Sequence, residues 1–233
     1  MAEISSNSAT QVLVGQHYEM ARSIVSKYPN SRSAVLPLLF LVQGIEGHVT
    51  DRGMRDVAGL LGLTPAEVLA SSSFYTMLKK RPTGEYLISV CRNVSCAHRG
   101  ANKVIKALRE HLDIDPGAVT DDGKFEFETA ECLATCDGAP TMQINYEDFY
   151  DVTPESAREL VDRIARGESV TSERGETLMT QREVSFETAL AGARLPGSAD
   201  DIEARTVGGE SPREDMKVVD RPKLQDDEGT HGG

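Results

Sequence analysis

Apolar residues recur at helical spacing from Gln11 to Leu78. Val12, Tyr18, Met20, Ile24 and Val25 share one face of a first predicted helix, which the Tyr28-Pro29-Asn30 run stops. A second helix is predicted from Ser33, a candidate N-cap, to about Ile45, with Pro37 at the end of its first turn, where proline costs less than deeper in. Thr50 and Asp51 open a third helix through Val57, Leu60 and Leu61, and Gly62 suits its C′ position. Thr64-Pro65-Ala66-Glu67 reads as a capping box with proline at the first helical position. Short helices this closely spaced predict a small bundle over residues 11–83, behind a flexible leader at 1–10.

The period changes after Arg81-Pro82-Thr83-Gly84. Tyr86 to Val90 reads as a short apolar strand ending at Cys91, and Ala101 to Leu112 as an amphipathic helix with Val104, Ile105, Leu108 and Leu112 on one side. Asp121-Asp122-Gly123 turns the chain into Phe125 to Thr129, an alternating strand whose Glu126 and Glu128 are expected on a solvated face. Thr141 to Ile144 and Phe149 to Val152 form a predicted hairpin around Asn145 to Asp148. Thr153-Pro154-Glu155 caps a last helix through Leu160, Val161 and Ile164, stopping at Gly167. A helical crossover followed by a hairpin gives a mixed sheet, and the order β-α-β-β-β-α is that of a thioredoxin-like α/β domain, here over 84–167. The fold class is therefore α+β: a helical bundle, then the thioredoxin-like domain, then an extended tail.

That tail, 168–233, is expected to be largely without regular structure. No aromatic residue follows Phe186, and residues 191–233 carry 10 Asp+Glu against 6 Lys+Arg with 7 of the 20 glycines, too little apolar surface to offset backbone ordering away from a partner. The whole chain is acidic, with 25 Lys+Arg against 37 Asp+Glu and a formal charge of −12, which argues against nucleic acid and against a polybasic membrane anchor. The longest apolar run, Ala34 to Val42, is broken by Pro37 and falls short of the roughly 20 residues a spanning helix needs. The N-terminus lacks the positive start and apolar stretch of a signal peptide. The expectation is a cytoplasmic protein without direct membrane insertion, whose thiols face a reducing compartment.

All four cysteines lie between residues 91 and 136, as Cys91-x4-Cys96 and Cys132-x3-Cys136. Each pair follows a predicted strand, so the two loops can meet at one end of a sheet. Four thiolates suit a [2Fe–2S] cluster, with two on each iron. Backbone N–H groups of residues 92–97 and 133–138 would point at sulfur, and Arg92, His98 and Arg99 would offset part of the cluster's negative charge. Structural zinc also takes four cysteines, usually in closer pairs on tight knuckles, and a redox dithiol prefers Cys-x-x-Cys, so iron–sulfur leads while both alternatives stay open. Other chemistry is thin. His17, His48, His98, His111 and His231 show no ligand spacing, and His98 is expected to cap or solvate a helix start. Ser71-Ser72-Ser73 lacks the Gly-x-Ser-x-Gly elbow, and no glycine-rich phosphate loop occurs. Phe74-Tyr75-Thr76-Met77 fits either helix-end core packing or an exposed partner surface.

The stretch Val90-Cys91-Arg92-Asn93-Val94-Ser95-Cys96-Ala97-His98-Arg99-Gly100-Ala101, with Glu131-Cys132-Leu133-Ala134-Thr135-Cys136-Asp137-Gly138-Ala139-Pro140, resembles the 24 kDa subunit family of respiratory complex I, whose bacterial members belong to NADH-quinone oxidoreductase. Lys27-Tyr28-Pro29, Arg32 through Leu39, Leu41-Val42-Gln43, Val68 and Phe74-Tyr75-Thr76-Met77 extend the resemblance over about residues 15–167. It implies a helical bundle followed by a thioredoxin-like ferredoxin domain, and one [2Fe–2S] cluster on Cys91, Cys96, Cys132 and Cys136. It implies no catalytic acid, base or nucleophile in this chain. The implied partner is a subunit that holds FMN and oxidises NADH, exchanging electrons with the cluster, commonly regarded as a side branch, within an oxidoreductase of the respiratory chain at the inner face of the cell membrane. NAD-linked hydrogenases and formate dehydrogenases have an equivalent subunit, and a zinc-stapled scaffold is the reading of another class. Ala134 departs from the glycine that many members carry, and the tail after Gly167 lies outside the common pattern.

Overall fold

The computed structural model describes residues 11–194; the expected leader at 1–10 and the tail from 195 onward lie outside the described residues. Helices α1 (Gln16–Val25), α2 (Val35–Glu46), α3 (Asp51–Leu61) and α4 (Pro65–Phe74) make the bundle. Helix α2 is apolar nearly all round, so it is enclosed: Leu38, Leu39, Leu41 and Val42 are fully buried. The caps follow the sequence. Thr50 Oγ1 accepts from Gly53 N–H, Gly62 ends α3 in the left-handed region, and Thr64 and Glu67 cap α4 reciprocally. Thr64 N–H and Oγ–H, with Arg32, hold the Glu67 carboxyl below the usual carboxylate range.

Two predicted starts shift. Val12 and Leu13 precede α1 rather than lie on it, and both are buried with their N–H groups on the Asp56 carboxylate at 2.6 and 3.0 Å. A 3-10 turn, Ser31–Ala34, precedes α2, and its cap is Asn30 instead of Ser33, so Pro37 falls in the first turn of α2.

The second half is a five-stranded mixed sheet: β1 (Tyr86–Cys91), β2 (Ala118–Val119), β3 (Phe125–Ala130), β4 (Met142–Ile144) and β5 (Glu147–Phe149), in the order β2-β3-β1-β4-β5. Strands β1 and β3 are parallel, with Cys91 opposite Ala130, and the other pairings are antiparallel. The short helix α5 (Val94–His98) and then α6 (Ala101–Leu112) follow β1, and α7 (Pro154–Ala165) follows the hairpin. One face of the sheet packs Ile88, Val90, Phe127, Met142 and Ile144 against Val104, Leu108, Val161 and Ile164 of α6 and α7. The hairpin is tighter than predicted: β5 starts at Glu147, because Asn145 and Tyr146 both take positive φ, 48° and 72°, as a two-residue hairpin loop requires. Asn145 also accepts from Leu87 N–H and donates to the Glu85 and Met179 carbonyls.

The opposite face corrects the expectation for β3. Glu126 is 1% exposed rather than solvated, with Arg81 3.5 Å away, and burial pushes its carboxyl above the usual range. Glu128 accepts from Ser89 Oγ–H at 2.8 Å and pairs with Lys79 at 3.4 Å. Lys79 N–H in turn donates to the buried Gln43 of α2, so a polar seam links bundle and sheet.

The tail boundary also moves. Within 168–194, Val170 and Leu178 pack on the sheet's core, and a further helix, α8 (Gln181–Arg194), returns to the bundle. Phe186, Ala189 and Leu190 join the bundle core, and Ser185 Oγ accepts from Gln43 Nε2 at 3.0 Å. Backbone approach permits this contact: a Cβ on Gly44 would meet the Phe186 ring at 2.9 Å. The bundle is thus built from two separated stretches of chain. Among the described residues, no single helix is long and apolar enough to cross a membrane.

Candidate metal centre

The two cysteine pairs follow the ends of β1 and β3, adjacent parallel strands. Cys91 is the last residue of β1 and Cys96 sits in α5, which Asn93 caps by accepting from Val94 N–H. Both thiols are buried, at 2% and 1% exposure, in a small cluster with Ala101 and Ala139 against which Leu133 packs. Cys132 and Cys136 are exposed, one in the loop after β3 and the other opening a 3-10 turn, Cys136–Gly138. All four are free thiols, so no disulfide competes for them.

Contacts run between the two segments. Cys91 Sγ lies 3.8 Å from the Glu131 carbonyl, next to Cys132. Cys96 Sγ lies 3.6 Å from Thr141 Oγ1. Arg92 forms an ion pair with Glu131, and Arg99 Nε donates to the Ala139 carbonyl at 2.6 Å while its Nη2 is 3.4 Å from Asp151. The two arginines expected to offset cluster charge therefore also clamp the first cysteine segment to the second. His98 is exposed at the end of α5.

The expected array of N–H groups aimed at sulfur is realised only in part. Ala134 N–H donates to Cys132 Sγ at 3.4 Å, and the left-handed φ of Ala134, 61°, bends the backbone back onto that sulfur. The N–H groups of Arg92, Val94, Ala97 and Gly138 go instead to protein oxygens.

Among the described residues, no three His, Cys, Asp or Glu side chains converge on one metal ion. A two-iron cluster asks instead for two thiolates on each iron, which two pairs supply. A second observation fits such a group. The Thr135 hydroxyl, beside Cys136, is buried with no hydrogen-bond partner, a costly arrangement that a cluster sulfur would relieve. Thr135 and Thr141 escape a search for metal ligands because neither is one; their only signal is a hydroxyl placed within or just beyond the Cys132–Pro140 run. Phe74 and Tyr75, left open between core and surface, are 78% and 44% exposed and stack edge-on at 5.0 Å.

Residues 21–165 match the family described as thioredoxin-like [2Fe-2S] ferredoxin. This chain belongs to that family. Its cofactor is accordingly an iron–sulfur cluster, and the mixed sheet with its flanking helices is the thioredoxin-like fold of the ferredoxin. The chain is 47% identical over 165 residues to the E-type subunit of NADH-quinone oxidoreductase from Mycobacterium tuberculosis (strain H37Rv), a match over 71% of this chain and 66% of that protein. It is 41% identical over 128 residues to NADH-quinone oxidoreductase subunit 2 of Thermus thermophilus, covering 54% of this chain and 71% of that one. The ferredoxin thus spans just under two thirds of the mycobacterial relative's length. Among solved structures, an NAD+-reducing [NiFe]-hydrogenase in the H2-reduced state shares the fold, with a TM-score of 0.51 at 22% identity over 57% of this chain and 22% of that one.

Proposed function

We propose that this ferredoxin is an electron-transfer subunit of the NADH dehydrogenase module of respiratory complex I, holding one [2Fe–2S] cluster on Cys91, Cys96, Cys132 and Cys136. The observation that carries the ligand assignment is the pairing of free thiols at and just past the ends of neighbouring parallel strands, beside an unpartnered buried Thr135 hydroxyl. Relatives at 47% and 41% identity, named as subunits of NADH-quinone oxidoreductase, support the complex. When bound, the cluster supplies one-electron transfer. The chain's own part is to hold and shield it: four thiolates as ligands, Arg92 and Arg99 fixing one loop to the other, and burial of Cys91 and Cys96 excluding water from one side. The partner is the subunit carrying FMN and oxidising NADH, and the complex keeps this chain at the inner face of the cell membrane while NADH reduces quinone.

Anaerobic purification, followed by iron and acid-labile sulfide analysis and EPR after dithionite reduction, tests the cofactor and its ligands. Equal iron and sulfide with an EPR signal on reduction is expected, and Cys96→Ser should weaken or abolish it. A colourless, EPR-silent protein containing zinc would overturn the reading. Co-expression with the flavin subunit should give a co-eluting pair; failure to associate would remove complex I as the assembly.

A further inference from the structure

Thr141 touches both cysteines of the buried pair. Its carbonyl accepts from Cys91 N–H at 3.2 Å, and its Oγ1 lies 3.6 Å from Cys96 Sγ. Thr141 and Cys96 are each 1% exposed, so no water competes for either side chain. The residue is fixed between Pro140 and the start of β4 at Met142, and a β-branched side chain has few rotamers to choose among. With a neutral thiol, either atom can be the donor. A metal-bound cysteine is a thiolate with no proton to give, so the ambiguity disappears and only the threonine can donate.

We propose that Thr141 is a positioning and tuning residue whose hydroxyl donates a hydrogen bond to the Cys96 thiolate and raises the cluster's reduction potential. The inference rests on the reading above that Cys96 is a ligand. On reduction one electron enters, no bond breaks, and Thr141 keeps its proton. The added negative charge strengthens the O–H···S bond, which favours the reduced state. A donor in a dry site acts with little screening, so one hydroxyl suffices for a measurable shift.

The test is an EPR-monitored redox titration of the full-length, cluster-loaded protein and of two variants. Thr141→Val keeps the shape and removes the donor; Thr141→Ser keeps the donor and removes the methyl group. Thr141→Val should lower the reduced-to-oxidised ratio at a fixed potential about tenfold, equivalent to about 59 mV for a one-electron couple. Thr141→Ser should titrate close to the native protein. Resonance Raman should show a deuterium-sensitive Fe–S(Cys) band in the native and serine proteins that weakens in the valine protein. A valine variant with native loading and native potential overturns the inference while leaving the ligand assignment intact. So does a serine variant shifted as far as the valine one, since packing would then be the cause. If Thr141→Val does not load, loading by Thr141→Ser supports the hydroxyl's role and its failure overturns it. A native protein without an EPR signal removes this inference together with the reading beneath it.

Discussion

The two cysteine pairs lie at the ends of neighbouring strands, yet their surroundings differ sharply. Cys91 and Cys96 belong to regular elements, the last residue of β1 and the middle of α5, and are buried against Ala101 and Ala139. Cys132 and Cys136 are exposed on a loop shaped by one left-handed alanine and one short 3-10 turn. One half of the site is therefore made by the same packing that makes the domain. The other half depends on local backbone geometry and on whatever the thiols bind. The four-ligand centre proposed above would have a packed floor at Cys91 and Cys96 and an exposed rim at Cys132 and Cys136.

The largest expected expression of this difference is thiol reactivity. In reduced, cluster-free protein, iodoacetamide should modify Cys132 and Cys136 first. Cys91 and Cys96 must wait for a local opening, and an opening that costs about 3 kcal/mol slows them on the order of 100-fold. Quenched aliquots read by peptide mass spectrometry give the four rates separately. Equal rates at all four thiols would break the comparison, because the first pair would then have no packed floor.

Glycine substitutions come next. A Cβ on Gly138 would lie 2.3 Å from Cγ of the Tyr150 ring, so Gly138→Ala forces apart the turn that starts at Cys136. Overpacking of this kind costs about 1–3 kcal/mol. Gly44→Ala makes a similar intrusion, 2.9 Å from Phe186, but between α2 and α8. Both variants should lower the thermal midpoint, whereas only Gly138→Ala should lose iron at equilibrium. Iron loss from Gly44→Ala would show that the bundle, and not the loop alone, holds the site together.

Much of this architecture is legible in the sequence because its signals are local. The Thr64 capping box, the Gly62 stop, the mixed sheet and the position of the cysteine pairs at the ends of β1 and β3 follow from neighbours in the chain, although Cys91 closes β1 and Cys96 lies in α5 where loops were expected. What escapes has a tertiary cause. Helix α8 lies in a stretch read as tail because its composition is poor in large apolar residues. Its helix is nevertheless announced by Thr180-x-x-Glu183, whose side chains cap one another's N–H groups. Its burial comes from a glycine far away, Gly44, that lets Phe186 approach. Glu126 alternates as a solvent-facing strand residue should, and it is buried because Lys79 and Arg81 bring the connecting segment across that face. Thr141 is likewise invisible as a partner of Cys96 until β4 is paired beside β1.

The smallest effect is also the one with opposite signs in the two halves. Ala134 holds φ at 61°, where a Cβ crowds the backbone and costs about 1–2 kcal/mol relative to glycine. Ala134→Gly removes that strain but gives the unfolded chain more freedom, about 0.5–1 kcal/mol against folding. The net gain should be about 0.5–1 kcal/mol, seen as a higher urea midpoint at unchanged slope. Ala97 sits in α5 between Cys96 and His98, in right-handed helix, where no strain is available to relieve. Ala97→Gly should therefore lose about 1 kcal/mol by the same measurement. The left-handed turn at Ala134 also aims its N–H at Cys132 Sγ, so Ala134→Gly should keep that hydrogen bond and hold iron at least as well as the native chain. If both substitutions destabilise, the loop at Ala134 is not strained, and the exposed pair is held as firmly by its backbone as the buried pair is by packing.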